Sequence, residues 1–480
     1  MTGVVAADRP STVADAITSS HTLVSNASWC WFSEPRALRY NGVHDRTYFG
    51  YVTSKGAITV GQYDHYTKSL TSFVLGKFEA DDHNDPAINI LSNGKLIVFY
   101  SRHAADNALR YRISTSPEDI TTLGPEHVLH TSGANTYAQI CYKNPVIVVF
   151  YRVVYGGTAR RWACVISKDN GATWGNEIPV FDWGAGEQMY IRTSWRWNLA
   201  GNSIADIILS GHPGLGTRHE VRYCFLKIAS AHDITIQKPG AITLLDLNKP
   251  NGLIIPSKVP VVYDPKTNKG IEAWIWDVYA TSASYIYCVY VTFPNATDHR
   301  YNYARYNPGT QKFDIKSQIC AAGGHIGDAT QPYYSGGMSI AKRTGVKDVI
   351  YASQYSNESK KFEIVDFSSL DGGHTWQAAP TTNNSTVDNV RPVAVANGLP
   401  EFSMYWEAGT YTTYASPNMD MIVGGGVNLN PQTRVTMTTS TTTPTVNQRV
   451  TFTATLKSGT TPISSKPITI YHYLNGVRYT

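Results

Sequence analysis

Pairs of strand-like runs, alternating or β-branched and broken by Gly, Asn or Asp, recur seven times, at 36–60, 87–113, 139–166, 191–228, 259–291, 336–367 and 392–422. The mean spacing is about 50 residues, the length of a four-stranded propeller blade. No 3.6-residue periodicity persists long enough to compete, so the pattern predicts an all-β chain built as a seven-bladed β-propeller. A length of 480 residues exceeds the usual single core, but a propeller can use about 400 of them as one domain. Two segments reinforce the reading. Ser167-Lys-Asp-Asn-Gly-Ala-Thr-Trp174 and Ser369-Leu-Asp-Gly-Gly-His-Thr-Trp376 both fit S-x-D-x-G-x-T-W, the Asp-box pattern. In such a hairpin turn the Asp accepts backbone hydrogen bonds, the Gly takes φ > 0 and the Trp packs under the blade.

The expected domains are an N-terminal extension at 1–29, the propeller at 30–426, and a linker with a partial immunoglobulin-like segment at 427–480. In the last of these, Thr-rich sequence gives way to alternating runs at 449–456 and 467–473 that resemble the start of a bacterial immunoglobulin-like module. The six cysteines are scattered without a Cys-x-x-Cys pair, and buried thiols are expected for most. No stretch of 18 apolar residues occurs, which argues against membrane insertion. A net charge of +5 with no Lys/Arg run leaves no nucleic-acid footprint. With 31 Tyr and 11 Trp but only 16% charged residues, the composition suits rings that stack on sugars.

Superposing the units yields candidate functional residues. His83 precedes the first strand of the second unit and His103 ends its second strand; Tyr137 and Arg152 hold those places in the third unit, Tyr190 and His212 in the fourth. Equivalent positions of adjacent blades lie side by side around a propeller axis, so the six should converge on one face. The plain alternative is that these side chains tie strands together.

Asp81-Asp-His-Asn-Asp-Pro-Ala87, Phe99-Tyr-Ser-Arg-His103, Thr136-Tyr137, Phe150-Tyr-Arg152, Ser210-Gly-His-Pro213, Tyr334-Ser-Gly-Gly337 and Arg391-Pro392 with Trp406 together resemble the seven-bladed propeller polysaccharide lyases typified by ulvan lyases. The resemblance covers about residues 30–425 and implies β-elimination at a 4-linked uronate of an acidic polysaccharide. That reaction needs a base for the C5 proton, an acid for the departing O4, and a cation to neutralise the carboxylate. By the resemblance, Tyr137 and His83 transfer protons, His103 and Arg152 counter the uronate charge, and Tyr190 binds the adjacent sugar; His212, Arg391 and His325, the last on a glycine-rich loop of the propeller face, are further substrate-binding candidates. No cofactor is required for the chemistry. A structural zinc or calcium is a further expectation, with His212, His219, Cys224 and Cys288 as donors, although no dense ligand motif ties them together. A secreted or cell-surface monomer is expected.

Two rival readings stand beside the lyase. A sialidase-like glycoside hydrolase would draw its arginine triad from Arg36, Arg192 and Arg391 and recruit Glu34 or Glu187. A noncatalytic glycan-binding propeller would keep the aromatic face without the His/Tyr/Arg convergence.

Overall fold

In a computed structural model, residues 20–424 are described apart from 156–158, 198–201, 281–284 and 343–347, together with five strands between 433 and 479. The chain divides into two compact units, Met1–Gly426 and Val427–Thr480. In the second, Thr433–Thr439 pairs antiparallel with Phe452–Ser458, and His472–Leu474 with Val477–Tyr479. The rest of the expected immunoglobulin-like module lies outside the described residues.

The first unit is a seven-bladed β-propeller. From first to last strand, blade one runs from Ala37–Asn41 to Ser69–Lys77, blade two from Ala87–Ile90 to His127–His130, and blade three from Asn135–Lys143 to Ile178–Phe181. Blade four begins at Met189–Trp197, blade five runs from Glu272–Ala280 to Lys312–Gly323, and blade six from Met338–Ile340 to Gln377–Pro380. Blade seven contributes Asp388–Ala394, Met404–Gly409 and Met419–Gly424, and its outer strand is His21–Val24 from the start of the chain. The propeller therefore begins before residue 30. The expected extension at 1–29 is corrected by this pairing and by the burial of Ala27 and Trp29.

Blade four carries six strands rather than four. The run expected to open the fifth unit at 259 is divided: Val261–Tyr263 pairs with Val221–Ser230 of blade four, and blade five starts only at Glu272. A β-prone tripeptide shows its preference for strand in sequence, but not its partner.

Burial explains the strand sequences. Second strands such as Val146–Tyr155 are sandwiched between neighbouring blades on both faces and are almost uniformly apolar. Edge strands such as Ser69–Lys77 alternate with solvent and carry weaker patterning. The two S-x-D-x-G-x-T-W turns fold alike. Asp169 accepts from the Thr173 amide and hydroxyl and from the Ser167 hydroxyl. Asp371 does the same with Thr375 and Ser369. Gly171 and Gly373 take φ of +87° and +96°, which an L side chain would resist. Trp174 then meets Phe99 of blade two edge-on at 5.5 Å, and Trp376 meets Tyr303 of blade five at 5.0 Å. Each such aromatic pair adds about 0.5–1.5 kcal/mol beyond its buried area.

The segment from Trp29 to Arg36 fills the propeller axis. The Cys30 amide donates to the Asp82 carbonyl before blade two, and Glu34 exchanges backbone bonds with Ala138 and Ile140 of blade three. Arg192 of blade four donates to the Trp31 carbonyl, while Trp31 stacks on Trp276 of blade five at 4.4 Å and meets Tyr334 before blade six. The Trp29 amide donates to Glu407 of blade seven, and the Arg36 carbonyl accepts from Gly50 of blade one. One short segment thus ties all seven blades. All six cysteines are buried free thiols. Among the described residues no helix is long and apolar enough to cross a membrane.

Candidate functional site

The first two strands of each blade are antiparallel, so the start of the first and the end of the second lie at the same rim. Register shows it directly: Thr136 pairs with Arg152, and Met189 with Gly211. His83 sits in a short 3-10 turn, Asp82–Asn84, just before blade two, with the Asp81 carboxylate capping the His83 amide. His103 follows the second strand of that blade. The two imidazoles stack 4.2 Å apart at an interplanar angle of 4°. Tyr137 lies 5.6 Å from His83 and 6.1 Å from His103 between ring centres. The Arg152 guanidinium carbon sits 4.6 Å from the ring centres of both Tyr137 and Tyr190. His212 lies 5.9 Å beyond Tyr190 and 4.7 Å from Trp274. Phe32 and Trp31 of the axial segment, with Trp274, form the floor. The structure thus brings His83, His103, Tyr137, Arg152, Tyr190 and His212 together.

Tyr137 adopts φ +62° at a bulge where the register slips between Thr136 and Gln139. A bulky residue in the left-handed region costs of order 1–3 kcal/mol, and such strain clusters where a side chain must be re-aimed. Arg391 shows the same combination, φ +52° in a slip between Val390 and Val393 of blade seven.

The electrostatics divide the pair of histidines. Asp81 Oδ1 lies 2.8 Å from His83 Nδ1 and Oδ2 lies 2.9 Å from His103 Nδ1. Asp82 Oδ1 also stands 2.8 Å from His83 Nδ1. Burial opposes a charge on His83, but its surroundings, with the Asp81 carboxylate among them, outweigh it and raise its pKa well above the ordinary value. Burial and the neighbouring charge of His83 push His103 down to about 4. Desolvation raises Tyr137 well above the usual phenol, against the pull of His83 and Arg152, so it keeps its proton at neutral pH. His212 is lowered to about 4, chiefly by burial.

Four arginines are buried among the described residues: Arg36, Arg152, Arg192 and Arg391. Arg36 lies 3.8 Å from Asp85, Arg192 pairs with Glu34 and lies 3.5 Å from Asp277, and Arg391 meets Asp82 at 2.6 Å. No described carboxylate pairs with Arg152. It leans on the two tyrosine faces, and its Nε and Nη1 have no protein hydrogen-bond partner. An unpaired buried cation costs several kcal/mol unless something else is meant to meet it.

Three expectations are corrected here. Arg391 is committed within the fold rather than to substrate: it donates to Asp82 and to the Trp29 carbonyl and braces the His83 turn. His325 makes no described contact with the six residues, although the next residue, Ile326, bonds the Tyr334 carbonyl. The His325 amide donates to Ala296, and the charged neighbours of its imidazole are His299 and Asp328. The metal donors do not assemble. His219 pairs with Glu272, His212 Nδ1 faces the Pro213 carbonyl, and Cys224 and Cys288 are interior strand residues. Among the described residues, the groups close enough to share an ion are Cys30, Asp82 and His83, and Asp81, His83 and His103. Neither suits one. Asp82 is committed to Arg391, and parallel stacked imidazoles direct their in-plane lone pairs side by side rather than to a common point.

Two further side chains join the site. Tyr334, before the first strand of blade six, brings its hydroxyl within 3.4 Å of His83 Nε2. Tyr414, after the second strand of blade seven, stands edge-on to both imidazoles at 4.9 and 5.6 Å. They are the blade-six equivalent of His83 and the blade-seven equivalent of His103; continuing the repeat superposition past the fourth unit would find them.

Fold and site define a seven-bladed propeller with a largely buried aromatic cluster at one rim, holding a histidine pair, a tyrosine and an arginine with no described carboxylate partner. The profile of the BNR repeat-containing family matches residues 46–318, more than half of the chain, and the protein belongs to that family. No curated protein sequence matches it. Among solved structures it is similar to a polysaccharide lyase of family PL25, an ulvan lyase bound to -[GlcA(1-4)Rha3S]-. The TM-score is 0.56 at 13% identity, over 85% of this chain and 96% of that one. The same lyase solved separately gives the same values. A Hadza microbial sialidase matches over 78% of this chain and 74% of its own, at 10% identity and a TM-score of 0.36. At 13% identity the likeness to the lyase is one of fold.

Proposed function

We propose that the protein is a polysaccharide lyase that cleaves a uronate-containing, ulvan-like polysaccharide by β-elimination. The observation that carries this reading is Arg152, a buried guanidinium without a carboxylate partner beside two histidines and a protonated tyrosine. A uronate carboxylate supplies the missing anion, and the guanidinium fork suits it.

The roles follow from charge. Arg152 and the cationic His83 neutralise the carboxylate and stabilise the carbanion formed when C5 loses its proton. His103, neutral and more open than its partner, with 22% of its side chain exposed against 4%, takes that proton at Nε2. Tyr137 delivers its proton to the departing O4. This exchanges the parts of the two histidines implied by the family resemblance, because His83 has two carboxylates holding its charge and His103 has one. Tyr190 and His212 extend the wall toward the adjacent sugar. The proposed chemistry draws on no cofactor. A polymer too large to enter a cell places the protein outside it, secreted or on the surface.

The arginines a sialidase would need are occupied within the fold. Arg36, Arg192 and Arg391 each face internal carboxylates, which disfavours that reading.

The test is an ultraviolet screen for unsaturated uronate product against ulvan, glucuronan, pectic and glycosaminoglycan substrates. Product from a uronate polymer supports the lyase. A blank across all four with retained binding turns the reading to a glycan-binding propeller.

A further inference from the structure

Asp81 contacts neither Tyr137 nor Arg152, yet its two oxygens are divided between the two histidines. Oδ1 accepts from the His83 amide at 2.9 Å and faces His83 Nδ1, and Oδ2 faces His103 Nδ1. An ionised carboxylate only accepts, so each Nδ1 carries a hydrogen and each Nε2 lies on the opposite side of its ring. For His83 that side is occupied by the Tyr334 hydroxyl at the cleft.

We propose that Asp81 is a positioning residue that makes His83 and His103 one unit: it fixes Nδ1–H on both rings, leaves both Nε2 atoms on the side away from Asp81, and holds the stacked pair at a single positive charge in the resting state, before His103 takes a proton. The proposal rests on the lyase reading for its catalytic consequence, but not for its geometry. A second charge is disfavoured because the rings lie face to face at 4.2 Å. The surroundings decide which ring keeps the proton. His83 is faced by Asp81, Asp82, Cys30, Tyr137, Tyr334, Tyr411 and Tyr414, with Arg391 behind Asp82 and Asp85 on the same turn. His103 is faced by Asp81, His83, Tyr137 and Tyr414, and by Arg152, which opposes a cation there. Asp82 gives His83 the second carboxylate that His103 lacks. The directions of the two pKa shifts agree with this placement. A neutral Nδ1–H tautomer at His103 leaves an Nε2 lone pair free for a proton, whereas the opposite tautomer would put an N–H there.

The experiment is a pH titration of imidazole 15N shifts in the full chain labelled at histidine, with His103→Gln for assignment, beside the pH profile of product formation on ulvan. In the parent protein, both rings are expected as Nδ1–H species, one titrating above the ordinary histidine range and His103 below it. Asp81→Asn can accept from only one ring, and it should move His103 to the Nε2–H form. kcat should then fall about a hundredfold or more with KM nearly unchanged, because the wrong tautomer blocks proton transfer. Asp81→Glu should restore the parent tautomers and part of the rate. Independent titration of the two parent rings in the ordinary range overturns the proposal, as does an Asp81→Asn protein that loses activity with its tautomers unchanged. A split titration in a parent that forms no unsaturated product on any uronate polymer would retire the lyase reading and leave the Asp81 pair standing.

Discussion

Arg391 of blade seven and Asp82 of the turn before blade two meet at 2.6 Å, across 309 residues of sequence, directly beneath His83. The closing blade therefore holds the cleft's central turn in place. Arg391→Ala takes the guanidinium from buried Asp82 and leaves His83 as its remaining cation, and should lower unfolding stability by about 3 kcal/mol in urea denaturation. A variant of parental stability whose only defect is a raised KM would return Arg391 to the substrate-binding set.

Arg152 predicts the opposite trade. Its guanidinium is desolvated with no described carboxylate partner, and the two tyrosine faces, at about 2 kcal/mol each, return only part of that cost. Arg152→Met should abolish product formation while raising stability by about 1 kcal/mol. Marked destabilisation in the same denaturation experiment would mean that the cation serves the fold.

Tyr137→Phe removes the proton proposed for O4 and little else. Product formation should fall about 10²–10⁴-fold, with the near-ultraviolet dichroism of the folded protein retained. Full activity in this variant removes Tyr137 from the reaction.

The pH profile should be one-sided through the neutral range. His103, at about 4, must be neutral to accept a proton, so kcat/KM should rise as pH climbs through that region and then stay level. The fall comes only when His83, raised above the ordinary value, loses its charge. A rising limb centred near 6.5 would point to a solvent-like histidine instead.

Stability should vary with pH through Glu407, which burial pushes up to about 8 despite Arg391. Between its unfolded value of about 4.3 and that folded value, the native state binds the extra proton, so stability declines as pH rises through the interval. Glu407→Gln should flatten the decline in Tm between about pH 5 and 8, the interval between the unfolded and folded values. An unchanged slope would place the dependence on other groups.

The blade count was legible because second strands such as Val146–Tyr155 are buried on both faces and stand out as apolar runs. Outer strands, half exposed, left weaker marks, and Val261–Tyr263 could not declare its partner. Six site positions followed from repeat geometry, since equivalent positions share a rim. Tyr334 and Tyr414 obeyed the same rule but needed it applied to blades six and seven. Nothing local separates Arg391 from Arg152: both are arginines on the first two strands of their blades. Only Asp82 beside Arg391, and no described acid beside Arg152, separates a brace from a candidate binding group. The axial segment was invisible because its aromatic, non-alternating sequence forms backbone bonds with several blades rather than with one strand.

That segment also sets a clock on synthesis. Trp29 finds Glu407 only 378 residues later, and Asn26 finds Asp420 only 394 later. At ribosomal rates the opening strand and the axial residues wait roughly twenty to eighty seconds for the partners that complete them. The axial residues are therefore made before the blades they join and finished only with the last of them, and a nascent chain halted before blade seven carries both histidines without an assembled site to hold them.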